Sequence, residues 1–598
     1  MIEVVVLLSL SVALPGQPPQ DPLPQVRRDA RQAAYTYERL LRRRAPETWG
    51  GGGDRCHEII GRFCFRFTDD DRDPDPPPPE EHEDIAEART RAVATHRAWF
   101  ALEPEKPGVA GPLVRYLIDD GRPREALAAA RTHAWAAERT VPSLLILGLS
   151  LHHAGEFTAA EAVFDSVRAR VLAEERSRLD DVEVLLEPRE RRVYRDLDPE
   201  AREAYNGRFW AFSDPSLQDG GNERRSAHYA RHAWAMILKD APGVQGRTSW
   251  GSDVEEILLR YGRPLSRARI RQPTWRLYDD LSMVESFDPL AVPLVPGALQ
   301  TRGLPVPPEP GARGELERDT VRSSYAPIRL TRLRSLPVQA ARFPADGGAR
   351  LLVAGVLERD TAYAVNAGVP PRPRGLLVVL DTLGREVSRT TAQASTLADS
   401  ALAVWGELWL GPGSYVYRLE VTDDSAGIGA LSQYRIDIPA PVPPGLSDLL
   451  VAPVGGDPVP TSRPGVPPDR RLVVPVGARL LVWAEASALA LMNGRSRYAV
   501  EWWVERGDKG GIVSRAARWL GRRLGLGERP EPVRVRWEDG TRELPAVVAL
   551  SVDLGGMDPG LYRLALTVRD RISGLEKTAT RLFRIDPAAA PVRFPIRE

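Results

Sequence analysis

Residues 205–278 read YNGRFWAFSDPSLQDGGNERRSAHYARHAWAMILKDAPGVQGRTSWGSDVEEILLRYGRPLSRARIRQPTWRLY and hold the densest set of aromatic and turn-forming residues in the chain. An aromatic run ends at Asp214, where the next residue is proline and a turn is favoured. A helix is predicted after Asn222, because apolar residues then recur at helical spacing. Ser252 is predicted to cap a second, shorter helix, which ends at Gly262 before a proline. This stretch is therefore predicted to form a helix, a loop, a short helix, a tight turn and a strand.

The order of aromatic, acidic and glycine residues in this stretch forms a motif. The residues that carry it are Phe209, Trp210, Asp214, Pro215, Asn222, Glu223, Arg224, Tyr229, Arg231, Trp250, Asp253, Tyr261, Gly262 and Pro264. This order resembles that of the GWxTD-domain proteins of bacterial envelopes, with Ser249 at the family's glycine and Ser252 at its threonine. The resemblance implies an exported envelope protein, and it brings no catalytic residues.

Three further aromatic residues are predicted to have structural roles: Trp250, Trp275 and Tyr278. The turn after the short helix brings the following strand back along that helix, so the rings can pack on it. Asp253 is predicted to cap the same helix or to pair with an arginine such as Arg224. The alternative for the aromatic residues is an exposed platform that binds a ligand.

His228 and His232 are the strongest metal-ligand candidates, because a separation of four residues places both rings on one face of a helix. The glutamate of a metalloprotease motif is missing between them, and the arginines nearby would repel a cation. We therefore favour an ordinary half-exposed helix face. The alternative is a metal-dependent hydrolase centred on residues 205–278, with Glu223 or Asp253 as its acidic group.

Length and charge bound the general class of the protein. A chain of 598 residues with 43% hydrophobic residues can form several domains with their own cores. Lys and Arg total 81 and so do Asp and Glu, so no global field attracts nucleic acid. No nucleotide-binding or nucleophile motif is present, and we expect no cofactor.

The chain begins with an apolar run, and residues 1–14 are predicted to be a signal peptide. The run is too short to span a bilayer. The alternative is a buried N-terminal strand. A signal peptide predicts export to the periplasm or cell envelope.

Residues 25–84 contain an Arg-rich helix at 25–44 and an acidic, Pro-rich linker at their end. Cys56 and Cys64 are the only cysteines. In an exported protein such a close pair predicts a disulfide. A metal site that adds His57 lacks a fourth ligand at the usual spacing.

Residues 85–190 are predicted to be helical and to contain a repeat of 34 residues, the tetratricopeptide period. The repeating positions are Leu113, Leu117, Gly121 and Ala126, followed by Leu147, Leu151, Gly155 and Ala160. Such an array can form a groove that binds a peptide, or it can act as a helical scaffold without a ligand.

After the module at 195–285 and a Pro-rich linker at 286–317, strand patterns replace helical ones. Two immunoglobulin-like β-sandwiches are predicted, at 318–440 and 441–590, with a Pro-rich stretch at 438–469 near their boundary. In each of them a Pro-Gly turn leads into a strand that begins near a tyrosine, Tyr415 or Tyr562, which resembles a tyrosine corner. Adhesion or carbohydrate binding is one role for such domains, and a spacer is the other.

Residues 512–524 form a basic amphipathic pattern, IVSRAARWLGRRL. Such a helix can contact an anionic membrane surface. It can equally cover an open sheet edge, which the neighbouring strand patterns favour.

Together these patterns predict a multidomain α + β protein: a helical N-terminal region, a small mixed α/β central module and two C-terminal sandwiches. The function they favour is a non-catalytic envelope scaffold that binds protein or glycan, with the metal-dependent hydrolase as the alternative.

Overall fold

The computed structural model describes residues 21–48, 56, 58–65, 80–186, 188–218, 220–241, 250–270, 283–287, 292–293, 324–330, 332–357, 372–396, 402–423, 427–454, 472–507 and 534–587. Several sequence predictions lie outside these residues. They are the signal peptide at 1–14, His57, most of the acidic, Pro-rich linker that ends at residue 84, Trp275, Tyr278, most of the linker at 286–317 and the amphipathic segment at 512–524. Within the described residues, no helix combines the length and the apolar character that crossing a membrane requires.

Eleven α-helices lie in the described part of the chain. They are α1 (Leu23–Arg43), α2 (Glu83–Leu102), α3 (Pro107–Asp119), α4 (Pro123–Ala136), α5 (Val141–His153), α6 (Phe157–Arg170), α7 (Ala173–Asp180), α8 (Pro188–Arg195), α9 (Pro199–Ser213), α10 (Glu223–Lys239) and α11 (Ser252–Tyr261).

The strands of the described residues lie mainly in the C-terminal half. They are β1 (Glu47–Thr48), β2 (Glu58–Ile60), β3 (Phe63–Phe65), β4 (Ser266–Ile270), β5 (Met283–Ser286), β6 (Val292–Pro293), β7 (Ser324–Tyr325), β8 (Arg332–Ser335), β9 (Val338–Ala345), β10 (Gly348–Leu357), β11 (Arg374–Asp381), β12 (Glu386–Thr396), β13 (Leu402–Leu410), β14 (Gly413–Asp423), β15 (Ile428–Ile438), β16 (Gly445–Leu446), β17 (Leu450–Val454), β18 (Val473–Val474), β19 (Arg479–Ser487), β20 (Tyr498–Arg506), β21 (Arg534–Asp539), β22 (Ala546–Asp553), β23 (Gly560–Asp570) and β24 (Glu576–Ile585). The predicted helical N-terminal region and β-rich C-terminal region are confirmed.

The chain forms two compact units. Unit 1 comprises Met1–Leu172 and Tyr229–Phe287, and unit 2 comprises Ala173–His228 and Asp288–Glu598. The stretch at 205–278 therefore contributes residues to both units, with the division inside α10.

In unit 1, helices α3 to α6 form two successive helical hairpins. Helices α3 and α5 start at residues 107 and 141, and α4 and α6 start at 123 and 157, so each start recurs after 34 residues. Gly121 and Gly155 occupy the turns with φ of +68° and +76°, a backbone region that glycine adopts without steric cost. Ala126 and Ala160 are fully buried, and their small side chains allow close approach of the helices.

The remainder of unit 1 contains helix α11, a hairpin of β2 and β3, and a small sheet. Helix α11 begins at Ser252 with Gly251 as its N-cap, so the predicted cap at Ser252 is wrong by one residue. The helix ends at Tyr261, and its C-cap is Gly262, whose φ is +78° and whose amide donates to the Leu258 carbonyl. In the sheet, β4 pairs in parallel with β1 and antiparallel with β5.

In unit 2, the first sandwich-like body has the strand order β8-β15-β14-β11-β12-β13-β10-β9. Only the β8–β15 pair is parallel among these pairings. Alternate residues of its strands fill a core that includes Val353, Leu377 and Leu419, as expected for strands with one buried face. On the outer face of β11, Leu376 and Val378 belong to a second cluster with aromatic residues of α9.

The second sandwich-like body has two sheets around one core. One sheet has the order β18-β24-β23-β20-β21, and in the other β19 pairs with β16, β17 and β22. Side chains at every second position fill the core, for example Val482 on β19, Val500 on β20 and Leu566 on β23.

The two bodies are joined by an apolar interface inside unit 2. Phe343 and Leu352 of the first body lie in one cluster with Leu450 and Trp483 of the second. The Pro-rich stretch at 438–469 therefore includes ordered strands, β16 and β17, which the sequence analysis did not predict. Both strands form because they pair with β19, along the edge that β22 does not occupy.

Polar contacts reinforce this interface. Arg342 Nε donates to Asp448 Oδ2 at 2.7 Å, and the Arg342 amide donates to the same oxygen at 2.9 Å. On β24, Arg581 donates to the carbonyl oxygens of Leu449 at 2.9 Å and Ala340 at 2.7 Å. Because these bonds satisfy buried backbone groups of both bodies, they fix the bodies to each other.

Candidate functional site

Asp253, the acidic residue of the GWxTD-like motif, is bound by an arginine from a distant part of unit 1. Arg62 donates from Nε to Oδ2 at 2.6 Å, from Nη2 to Oδ1 at 2.7 Å, and from its amide to Oδ2 at 3.2 Å. The hydrogen bonds from Arg62 lower the pKa of Asp253. The partner is thus Arg62, where the sequence analysis suggested Arg224.

The hairpin that carries Arg62 is closed by a disulfide between Cys56 and Cys64, whose Cα atoms are 5.4 Å apart. From the same hairpin, Glu58 accepts hydrogen bonds from Arg260 at 2.6 Å and from the Tyr261 hydroxyl at 2.8 Å. The disulfide-closed hairpin therefore holds both ends of helix α11.

Arg263, in the turn after α11, belongs to a buried charge network. It pairs with Asp119, which also lies 3.7 Å from Arg115. Burial would raise the pKa of Asp119, but Arg263 and Arg115 outweigh that effect and lower it. The Arg263 guanidinium lies 4.4 Å from the centre of the Trp234 ring, and Trp234 Nε1 donates to His153 Nε2 at 3.2 Å. The turn of the motif is thus held by structural contacts.

The two candidate metal ligands differ in burial. His228 is fully buried, donates from Nε2 to the Leu179 carbonyl at 2.9 Å, and lies 5.0 Å from the Trp210 ring. His232 is partly buried. The predicted half-exposed face is therefore wrong for His228, because the neighbouring segment of unit 2 covers its ring. Among the described residues, no group of three or more His, Cys, Asp or Glu side chains could hold a metal ion.

Asp214, at the turn after α9, is buried beside an ion pair of β14. Arg418 and Glu420 form that pair, with side chains 0% and 1% exposed. The Leu217 amide donates to Glu420 Oε1 at 3.0 Å, and the Ser216 amide to Asp214 Oδ1 at 3.3 Å. Burial raises the pKa of Asp214 well above its usual range, and Arg418 only partly opposes this. Burial therefore favours the neutral form of Asp214.

Asn222 and Glu223 fix the start of helix α10. Asn222 Oδ1 accepts from the Arg225 amide at 2.8 Å, which caps the helix. Glu223 Oε1 accepts from the Tyr325 hydroxyl at 2.8 Å and from the Ile328 amide at 2.6 Å. Glu223 therefore connects α10 to the segment that precedes β8. This is the carboxylate that the hydrolase alternative would use.

The remaining motif residues are mostly buried. Phe209 and Trp210 lie in the core that α9 shares with β11, and Tyr261 stacks on Phe65 at 4.9 Å between ring centres. Trp250 is half-buried next to α11, and Pro264 is also half-buried.

A site that the sequence analysis missed lies on the outer face of β13, beside the interface between the two sandwich-like bodies. Trp405, Glu407 and Trp409 alternate along the strand and point to the same side. Trp409 is 54% exposed, which is unusual for so large an apolar ring. The signal in the sequence is the alternation Trp-x-Glu-x-Trp, which puts both rings on the polar face of the strand.

We name Trp405, Glu407 and Trp409 the tryptophan stripe. An arginine links this stripe to the second body. Arg350 lies directly opposite Trp409 on β10. Its Nη1 lies 3.3 Å from Glu407 Oε1, and its Nη2 donates to Glu485 Oε2 of β19 at 3.0 Å. We name Trp405, Glu407, Trp409, Arg350 and Glu485 the corner site. Trp409 is exposed and Trp405 is partly buried. The site therefore offers the open ring of Trp409, the accessible part of Trp405 and carboxylate oxygens that accept hydrogen bonds.

In comparisons with known proteins, no family model matches this chain, and no curated protein matches it either.

Proposed function

We propose that this protein is an exported, non-catalytic scaffold of the bacterial cell envelope that binds an envelope component through the corner site. The GWxTD-like motif and the apolar run at residues 1–14 support export. The contacts of three residues within 205–278 support a structural role for this stretch. Glu223, Asp253 and His228 each take part in contacts that hold the fold.

The observation that carries the proposal is the exposed Trp409 of the corner site, with the partly buried Trp405 on the same face of the strand. Two neighbouring regions of the outer surface of the same sheet are covered. Residues of α9 pack on β11, and residues of β17 and β19 pack on β9 and β10. Between these covered regions Trp409 remains 54% exposed. Exposed aromatic residues beside a joint between two bodies are typical of a binding site.

Two finer features of the architecture belong to the same proposal. The recurrence of helix starts after 34 residues supports tetratricopeptide-like repeats. The Tyr415 hydroxyl donates to the Gly411 carbonyl at 3.2 Å and the Tyr562 hydroxyl to the Asp558 carbonyl at 2.8 Å. These bonds to backbone four residues upstream support immunoglobulin-like sandwiches with tyrosine corners.

The proposal is tested by capture from native envelope material with the full-length protein. The wild type should retain an envelope component that the Trp409→Ala variant loses. Trp135→Ala is the matched control, because Trp135 is 87% exposed on α4 of the other unit. Equal capture by the wild type and Trp409→Ala would contradict binding through the corner site.

A further inference from the structure

We infer that the corner site binds an uncharged, extended oligosaccharide, which lies along Trp405 and Trp409. This inference rests on the proposed function and names the class of ligand for the same site.

The spacing of the two tryptophans suits an extended ligand. They are four residues apart on one strand, so their Cα atoms are separated by about 13 Å at the usual rise of a β-strand. Both point to the same side, with Glu407 between them. A single small molecule cannot reach both rings, whereas an oligosaccharide of several sugar units can lie along the strand.

The chemistry of the stripe matches that of a pyranose. A pyranose ring has an apolar face of C–H groups and a rim of hydroxyl groups. The apolar face stacks on an indole ring, since the negative face of the ring attracts the C–H hydrogens. The rim hydroxyls donate to carboxylate oxygens such as those of Glu407. On β12, Gln393 is exposed and lies directly opposite Trp405, so its amide can both donate to and accept from a sugar.

The charges of the site favour an uncharged ligand. Arg350 is the cation of the site and already contacts two carboxylates, Glu407 and Glu485. An acidic sugar would have to compete with both carboxylates for this arginine and would be repelled by them. The corner site is therefore expected to discriminate against uronic acids and phosphorylated glycans.

A folded protein partner fits the site less well than a sugar. The cores of protein interfaces are enriched in aromatic residues but depleted in glutamate. Here Glu407 lies in the middle of the stripe, between the two tryptophans. Burying this carboxylate under an apolar protein surface is costly, whereas a sugar supplies hydroxyl donors at that position.

The inference is tested by titrating the full-length protein with tetramers of β-1,4-linked glucose and of N-acetylglucosamine, followed by calorimetry and tryptophan fluorescence. At least one tetramer should bind. Trp409→Ala should weaken that binding about tenfold or more, as expected for the loss of one stacked ring. Trp135→Ala should bind like the wild type, and Trp409→Tyr should retain most of the affinity. Polygalacturonate should not bind.

A second variant tests the inference independently, in case Trp409→Ala does not fold. Glu407→Gln keeps the size of the side chain and should weaken binding, with an unchanged circular dichroism spectrum. The inference is overturned if neither tetramer binds at millimolar concentration, or if Trp409→Ala and Glu407→Gln bind as the wild type does.

The outcomes separate this inference from the proposed function. If Trp409→Ala loses an identified envelope protein while neither tetramer binds or competes, the scaffold function stands and the oligosaccharide inference falls. If the tetramer binds as described but nothing is retained from native envelope, the inference stands and the proposed role in the envelope falls.

Discussion

Asp214 and Asp253 belong to the same motif, yet they lie in different units and their pKa values are shifted in opposite directions. In unit 2, Asp214 is buried beside the Arg418–Glu420 pair, and burial raises its pKa. In unit 1, Asp253 receives two side-chain bonds and one backbone bond from Arg62, and these bonds lower its pKa. The first carboxyl group is therefore neutral at a pH where the second is charged.

This difference shows that the position of an aspartate in a motif does not set its pKa. A cation in direct contact lowers the pKa of a carboxyl group, whereas burial without a free cation beside it raises the pKa. Arg62 faces Asp253 directly, whereas the Arg418 guanidinium is engaged by Glu420. Single substitutions in each unit test this contrast.

The largest effect is expected from Arg418→Met in unit 2. Removing the cation leaves the Glu420 charge buried and uncompensated, which typically costs about 3–5 kcal/mol of unfolding free energy. Urea denaturation would measure the loss. The control is Arg435→Met, since Arg435 pairs with Asp437 at the surface, with side chains 43% and 53% exposed. A similar, small loss in both variants would contradict the importance of the buried pair.

The next effect is expected from Cys56→Ser in unit 1. The disulfide closes a loop with a sequence separation of 8, so its loss costs about 2–3 kcal/mol by the chain-entropy estimate. The hairpin that supplies Glu58 and Arg62 to α11 loosens as a result. Thermal unfolding with and without a dithiol reductant measures this effect. The reductant should destabilise the wild type and leave Cys56→Ser unchanged; an unaffected wild type would show that the hairpin folds without the bond.

The third prediction concerns the pH dependence that Asp214 gives to unit 2. The unfolded chain loses this proton near pH 4, while the folded protein keeps it to a higher pH. The folded state therefore binds more protons, and the contribution of Asp214 to stability falls as pH rises above about 4. Asp214→Asn should remove this slope, with each pKa unit of the shift corresponding to about 1.4 kcal/mol. Unfolding curves between pH 4 and neutrality would reveal it, and parallel slopes for the two proteins would contradict a buried neutral acid.

The smallest effect is expected from Asp253→Asn, and its pH dependence has the opposite sign. The folded pKa of Asp253 is lowered, so its contribution is complete above the unfolded pKa and is lost as pH falls through the folded value. The loss at neutral pH should be small and should shrink further in high salt, because Arg62 is 48% exposed. Thermal melts at low and high ionic strength test this, and a loss as large as that of Arg418→Met would contradict the comparison.

Local patterns predicted much of the fold. The recurring Gly121 and Gly155 placed the turns of both helical hairpins, because each needs a positive φ. Strand patterns after residue 317 predicted the β-rich C-terminal region, in which β10, β14 and β23 are rich in apolar residues. The sequence EVSRTTAQAST of β12 has few apolar residues, so no such pattern marks it as a strand.

Contacts between distant parts of the chain could not be predicted. On β14, Arg418 and Glu420 alternate with core residues, a pattern that predicts a solvated face. The turn after α9, about 200 residues earlier, covers that face instead. The corner site was missed for the same reason. Glu485, which Arg350 contacts beside the tryptophans of β13, lies on β19 of the second body, far along the chain.

The position of Arg581 also has a consequence for the order in which this molecule is completed during synthesis. A chain emerges N-terminus first, so β13 and its two tryptophans leave the ribosome before β19 and β24. The bonds from Arg581 to Leu449 and Ala340 form only after β24 has emerged. Until then the first body carries Trp405, Glu407, Trp409 and Arg350, but the second body, which carries Glu485, is not fixed against it. A nascent or truncated chain that stops within the second body is therefore expected to carry the tryptophans of β13 without a second body fixed beside them.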